Sequence, residues 1–117
     1  MEPCEKVPQC SNCSDIFQKL RPNISAVIVS KHFSHDYPGF NAALIIDCNH
    51  AYFRHLHKFE ESIEGNHIFR AVSSHVHIVY AIDKQNRLVF LRAFKNFNEY
   101  KKFLNNKKQI LEIIDHA

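Results

Sequence analysis

The stretch from residue 66 to residue 94, NHIFRAVSSHVHIVYAIDKQNRLVFLRAF, constrains the fold more than any other part of the sequence. It contains three short apolar runs, each rich in β-branched or aromatic residues: His67–Val72, Val76–Ile82 and Leu88–Phe94. Only short polar breaks separate the runs, and this spacing favours neighbouring antiparallel strands. The sequence therefore predicts a three-stranded antiparallel meander, with a packed core on one of its faces.

Basic and imidazole side chains interrupt these runs at Arg70, His75, His77 and Arg92. A sheet that carries cations on one face is a candidate binding surface. The net charge of +3 is compatible with nucleic acid as a partner without requiring one. The sequence contains nine histidines, and histidine can serve as acid, base or metal ligand.

The length of 117 residues favours a single domain, residues 1–117, with residues 1–13 as a flexible tail that contains cysteines. Only two glycines are present, which excludes a glycine-rich phosphate loop. No apolar run approaches the roughly 20 residues that span a bilayer, and the first residues lack the apolar core of a signal peptide. We therefore expect a cytoplasmic protein without a membrane partner.

The segments around the predicted meander are expected to cover it. Ile24–Ser30 predicts a strand, and Lys31–Phe40 predicts a loop with a Pro-Gly turn. From His50 onward, apolar residues at helical spacing predict a helix that Gly65 ends; they are Tyr52, Leu56, Phe59 and Ile63. Asn98 is a candidate N-cap of an amphipathic helical segment, which two asparagines at 105 and 106 divide. The expected fold class is α+β, a twisted antiparallel sheet packed against helices.

Two groups of side chains could ligate a metal. The first has the spacing C-x5-C-x2-C near the N-terminus and resembles half of a zinc site; its ligands would be Cys4, Cys10, Cys13 and Cys48, with His50 as an alternative to the last. Because the second pair is only C-x-H, incidental thiols are the favoured interpretation, and no cofactor is expected. The second group is His32, His35 and Asp36, which is more often simply a solvated loop.

Three segments of the C-terminal half carry a resemblance to a known family: FRAVSS at 69–74, HIVYAID at 77–83 and LVFL at 88–91. They resemble the RelE/ParE toxin superfamily of bacterial toxin–antitoxin systems, which has a basic strand, a tight turn, an R-L-V-Y strand and an acidic turn there. His77 stands where that pattern has arginine, which looks more like the YafO branch. His55-Leu56-His57 and the polar stretch 105–108 are similar to that branch as well. The resemblance covers roughly residues 50 to 117.

The resemblance implies a RelE-like fold and a ribosome-dependent endoribonuclease, or mRNA interferase, that inhibits translation without a metal. Its partners would be a cognate antitoxin, mRNA and the ribosome. In that reaction the 2′-hydroxyl attacks the adjacent phosphate, so the site must accept a proton, neutralise the phosphate and protonate the leaving oxygen. Histidine suits the proton steps, and arginine or lysine suits the phosphate.

Carried over by position, the resemblance implies four catalytic candidates: His77, Arg70, Lys95 and Tyr100. His75 is the fifth candidate, because of its place in the strand pattern. His77 or His75 would be the general acid or base, and Arg70 with Lys95 would hold the phosphate. Strand alternation is expected to put His75 and His77 on the same face. The candidate RNA-binding residues share a basic or imidazole side chain: His55, His57, Lys58, Arg92, Lys101 and Lys102.

Two other functions remain open on the sequence. The first is a non-catalytic inhibitor, either a ParE-like poison of DNA gyrase, which shares the fold, or a phage-type protein that blocks a host enzyme. The second is a small zinc-supported nucleic-acid-binding protein that uses the cysteines and the loop histidines. The histidines of the strands could also be cross-strand packing residues.

Overall fold

The computed structural model describes residues 23–39, 58–73 and 75–117. The five strands in these ranges are β1 (Ala26–Val29), β2 (Lys58–Ile63), β3 (Asn66–Ser73), β4 (Val76–Ile82) and β5 (Arg87–Phe94). The three helices are α1 (Lys31–Asp36), α2 (Phe97–Leu104) and α3 (Lys107–Asp115). These elements form a small α+β domain, as the sequence predicts. The predictions for the tail 1–13 and for the helix before residue 58 lie outside the described residues.

The strands form one mixed sheet in the order β1-β5-β4-β3-β2. Each strand from β2 to β5 pairs antiparallel with its neighbour in the chain. β1 lies beside the last strand and is parallel to it, with Val27 opposite Leu88. Backbone hydrogen bonds from Ser25 to Asn86 and from Ser30 to Phe90 hold the two ends of β1. The sheet is therefore mixed, where the sequence predicts an antiparallel one.

Both faces of the sheet are covered, not one face as the sequence suggests. Residues 78–82 of β4 and 88–91 of β5 are all completely buried, which matches the unbroken apolar runs of strands that are covered on both sides. One face packs under α2 and α3 through residues that include Ile68, Val79, Val89, Phe103 and Ile113. The other packs against α1 through residues that include Phe33, Phe69, Ile78, Tyr80 and Phe90.

β2 lies where the sequence predicts the last turns of a helix. A bulge opposite β3 makes Glu60 an extra residue in the strand, so that Phe59 packs with one core and Ile63 with the other. The two residues therefore match the helical spacing without sharing a face. Glu64 and Gly65 both have positive φ, 49° and 85°. That combination is the two-residue hairpin turn that joins antiparallel strands.

A helix, α1, also replaces most of the loop that is predicted after β1. Ser30 caps it, because its Oγ accepts a hydrogen bond from the Phe33 amide at 3.0 Å. The same hydroxyl donates to the Leu91 carbonyl at 3.0 Å, which ties the cap to β5. The buried Phe33 ring then anchors the helix on the sheet.

The division of the C-terminal segment into two helices is confirmed. Asn96, rather than Asn98, caps α2, and its Oδ1 accepts hydrogen bonds from the amides of Asn98 and Glu99. Asn106 caps α3 through the amide of Gln109. None of the helices in the described ranges is long and apolar enough to cross a membrane.

We expect Gly65→Ala to lower the free energy of unfolding by about 1–2 kcal/mol, because an alanine resists the left-handed backbone of the hairpin turn. Gly65→Asn is the matched control: it adds the same Cβ, which lies 3.2 Å from Lys84 Cγ, but asparagine tolerates positive φ. Urea unfolding should show a clearly smaller loss for the asparagine variant. Equal losses would mean that the contact with Lys84, and not the backbone conformation, makes glycine necessary.

Candidate active site

Tyr100 of α2 lies at the centre of a polar cluster on the face that α2 and α3 cover. Its ring is completely buried, and its hydroxyl donates a hydrogen bond of 2.6 Å to Glu60 Oε1. Glu60 is the extra residue of the bulge in β2, and the next residue, Glu61, pairs with Ile68 and forms an ion pair with Lys107 of α3 at 3.5 Å. The edge strand β2 is thus joined to both C-terminal helices by carboxylates.

Arg70 and His77 complete this group, which we call the Tyr100 cluster (Glu60, Arg70, His77 and Tyr100). β3 and β4 pair with Val72 opposite His77, so Arg70 and His77 lie on the same face of the sheet. Arg70 Nε is 3.9 Å from Glu60 Oε1, and its Cζ is 5.6 Å from the centroid of the Tyr100 ring. The His77 ring stacks on Tyr100 with centroids 5.1 Å apart and an interplanar angle of 16°.

Two nitrogen atoms of the Tyr100 cluster are buried without a hydrogen-bond partner among the described residues: Arg70 Nε and His77 Nδ1. A buried donor or acceptor that is left unpaired typically costs about 1–3 kcal/mol, and such groups are uncommon in native proteins. Packing would be served better by apolar side chains at these two positions. Their presence is typical of a site that is kept for its chemistry.

The pKa of His77 is lowered from its usual value of 6.5, first by burial and second by the positive charge of Arg70. At neutral pH the imidazole is therefore uncharged and can accept a proton. The pKa of Tyr100 is raised, first by burial and then by the hydrogen bond and negative charge of Glu60, which together outweigh the opposing charge of Arg70. The phenol consequently stays protonated and holds the Glu60 carboxylate.

Phe97 and Lys101 border the Tyr100 cluster on the solvent side. The Phe97 ring stands edge-on to His77, with centroids 5.6 Å apart and an interplanar angle of 63°. Lys101 is exposed, and its Nζ lies 5.4 Å from the centroid of the Phe97 ring and 5.9 Å from that of Tyr100. A cation and an accessible aromatic ring thus lie next to the imidazole.

The structure brings three of the five catalytic candidates together: Arg70, His77 and Tyr100. His75 is exposed in the turn before β4 and has a φ of 66°, so strand alternation does not apply to it. Lys95 lines a different cleft of about 270 Å³, together with Asp36, Tyr37, Pro38, Val76 and Ala93. That cleft lies on the α1 side of the sheet.

Arg92, a candidate RNA-binding residue, is engaged within the fold. Its Nε donates to Asp36 Oδ2 at 2.5 Å, and its Cζ lies 4.8 Å from the centroid of the Phe94 ring. The amide of Ala93 donates to the same carboxylate oxygen at 3.1 Å. Asp36 therefore fastens α1 to β5 instead of completing a metal site with His32 and His35. No three histidine, cysteine, aspartate or glutamate residues in ranges 23–39, 58–73 and 75–117 are placed to hold a metal ion.

The remaining candidates differ in position. Lys58 is exposed at the start of β2, with its Cα opposite that of Arg70, and Lys101 and Lys102 are exposed on α2. The others lie outside the described residues: His50, His55, His57, Cys4, Cys10, Cys13 and Cys48.

Glu60 is the one member of the Tyr100 cluster that the sequence does not single out. The sequence predicted a helix here, and the helical spacing gave Glu60 no special role. The bulge in β2 that brings Glu60 to Tyr100 leaves no periodic pattern in the sequence. The available signal is Gly65, because a glycine between two short segments can adopt the positive φ of a hairpin turn.

Comparison of the chain with models of known families, with curated proteins and with solved structures yields no match in any of the three.

We expect Tyr100→Phe to lower the free energy of unfolding by about 1.5–3 kcal/mol, because a buried hydrogen bond to a charged carboxylate is lost. Glu60→Ala with and without Tyr100→Phe completes a double-mutant cycle that isolates this interaction, because alanine has no acceptor for the phenol. Urea unfolding of the four proteins gives the coupling energy. A coupling near zero would show that the hydrogen bond does not hold α2 to β2.

We also expect His77→Phe to reduce the loss of stability in mild acid. In the native protein the pKa of His77 is below its unfolded value of 6.5, so the unfolded state alone binds the proton as the pH falls below 6.5. That contribution to stability is complete above pH 6.5 and disappears as the pH falls through the lowered pKa. Phenylalanine keeps an aromatic ring against Tyr100 and cannot titrate.

The measurement is urea unfolding of each protein at pH 7.5 and pH 5, and His75→Asn is the control because it removes an exposed imidazole from a turn. An unchanged pH dependence in His77→Phe would show that burial does not disfavour the imidazolium in the folded protein.

Proposed function

We propose that this protein is a metal-independent endoribonuclease that inhibits translation by cutting mRNA, as its resemblance to the YafO-like branch of the RelE/ParE toxins implies. The observation that carries the proposal is the meeting of Arg70, His77 and Tyr100 from three different elements, with Glu60 beside them. A neutral imidazole, a guanidinium and a carboxylate are the residue types that cleave RNA through its own 2′-hydroxyl.

His77 is the general base in this proposal. Because its pKa is lowered, the imidazole is uncharged at neutral pH and can take the proton of the 2′-hydroxyl. The 2′-oxygen then forms a bond to phosphorus as the bond from phosphorus to the 5′-oxygen breaks. The products are a 2′,3′-cyclic phosphate and a free 5′-hydroxyl.

Arg70 neutralises the phosphate during this step, because a guanidinium matches phosphate oxygens with two parallel donors. Glu60 and Tyr100 are positioning residues, since the Tyr100 hydroxyl holds the carboxylate that faces the guanidinium. The exposed Lys101 is the proposed donor of the proton that the leaving 5′-oxygen takes up.

The biological role is proposed from the same resemblance. The protein would be the toxin of a toxin–antitoxin pair, would act on mRNA at the ribosome and would be neutralised by a cognate antitoxin. The antiparallel order of β3, β4 and β5, followed by two short helices, supports a RelE-like arrangement. The exposed lysines on α2 agree with a polyanionic partner.

We expect the purified protein to cut a translated message in a cell-free system, and primer extension should map the cuts only when ribosomes are active. His77→Asn and Arg70→Gln should each reduce the rate at least about 100-fold, as the loss of a proton-transfer or charge-stabilising group does. The control variant His35→Asn, which replaces an exposed histidine on α1, should cut at the wild-type rate.

The wild-type rate should also fall as the pH drops through the pKa of His77, which lies below the usual 6.5, because a protonated His77 cannot accept the hydroxyl proton. Cleavage by His77→Asn at the wild-type rate would overturn the catalytic assignment. Growth arrest by the wild-type protein without any cleavage of RNA would instead favour a non-catalytic inhibitor of the gyrase-poison or phage type.

A further inference from the structure

We propose that Phe97 is a stacking platform for an unpaired base next to the cleaved phosphate, and that it thereby determines where the RNA is cut. This inference rests on the proposed function, and it names the part of the substrate that the site recognises. It starts from an exposed aromatic ring that the core does not require.

The exposure of Phe97 sets it apart from the other phenylalanines of the described ranges. Its relative exposure is 48%, whereas the others are buried or partly buried; they are Phe33, Phe59, Phe69, Phe90, Phe94 and Phe103. A phenylalanine that is half open to water at the edge of a polar cluster contributes little to the core. Its free surface is available to a flat, apolar ligand.

The position of Phe97 is well defined. It is the first residue of α2, directly after the Asn96 cap that fixes the start of the helix. Its ring contacts His77 edge-on and lies 5.7 Å from the centroid of Tyr100, with an interplanar angle of 47°. The ring therefore sits next to the proposed general base, on a rigid element. A base on Phe97 would hold its own ribose and phosphate close to the imidazole.

Lys101 supplies the second half of a nucleotide site. Its Nζ lies 5.4 Å from the Phe97 centroid, one helical turn along α2, and both residues are exposed. An exposed cation–π contact is weak, so the flexible ammonium can move aside to a phosphate when a base covers the ring. Aromatic rings beside cations are the usual platform for single-stranded RNA. Every base has a flat π face, and differences in stacking strength give a preference among the bases.

The test uses the cell-free translation assay with primer extension, at limiting mRNA. We expect Phe97→Ala and Phe97→Leu to cut about 5- to 150-fold more slowly, the loss typical of one base–aromatic stack. Both should also lose preference for the base beside the cut. Phe97→Tyr should retain the rate and the preference, since it keeps the aromatic face. Val29→Ala removes the other large exposed apolar side chain of the described ranges and should behave as wild type.

Phe97→Leu keeps apolar bulk against His77 and Tyr100, so the inference can be judged even if the alanine variant unfolds. Wild-type rate and preference in Phe97→Leu, with His77→Asn inactive, would overturn the platform and leave the nuclease proposal intact. Absence of cleavage by the wild-type protein would overturn both. An equal, uniform loss in Phe97→Leu and Phe97→Tyr would also overturn the platform, because it would show a packing role.

Discussion

The burial of the two central strands on both faces is the constraint on which the rest of the structure depends. Residues 78–82 of β4 and 88–91 of β5 are completely inaccessible, so no charged side chain can lie along their middle. The charged and polar side chains of the sheet therefore lie at the ends of these two strands and on β2 and β3, toward one edge of the sheet. His77 lies at the beginning of β4, beside the edge that β2 and β3 form, and α2 crosses that end of the sheet. The candidate active site therefore lies at the end of the sheet, next to the last completely buried residues of β4.

The hydrogen bond between Tyr100 and Glu60 lets this end of the sheet carry charges without opening the core. Tyr100 buries its ring in the same core as Phe103 and Ile113, and its hydroxyl reaches the carboxylate on β2. The carboxylate in turn offsets the charge of Arg70, which would otherwise be nearly isolated. The cluster still leaves two buried nitrogens unpaired, and the surrounding apolar packing has to compensate for their desolvation. The Tyr100 side chain thus links the apolar core to the charged side chains of the cluster.

The local sequence pattern predicted β3 and β4 correctly, because their residues favour a strand and nothing else. The runs around Arg70 and His77 became β3 and β4 with bounds within a residue of those expected, because β-branched residues fill a strand that is buried on both faces. The pattern failed where two signals coincided. Phe59 and Ile63 have helical spacing, yet the bulge at Glu60 sends them to opposite cores. Similarly, Ser30 has the chemistry of an N-cap, but the Pro-Gly signal eight residues later led to the prediction of a loop.

The sequence by itself determined the α+β class, the strands from residue 66 to residue 94, and the presence of Arg70, His77 and Tyr100 as candidates. The strands could be predicted because β-branching and short polar breaks are local properties of the chain, and the resemblance in the C-terminal half implied the three candidates. Only the tertiary structure decided that β1 runs parallel to β5, that Glu60 joins the cluster and that Arg92 is engaged by Asp36. These are contacts between residues that are far apart in the chain, and a bulge or an ion pair across elements leaves no periodic trace. Residue types alone indicated which side chains could take part in a site. Their positions relative to one another depended on the packing of α1 and α2 on opposite faces of one sheet.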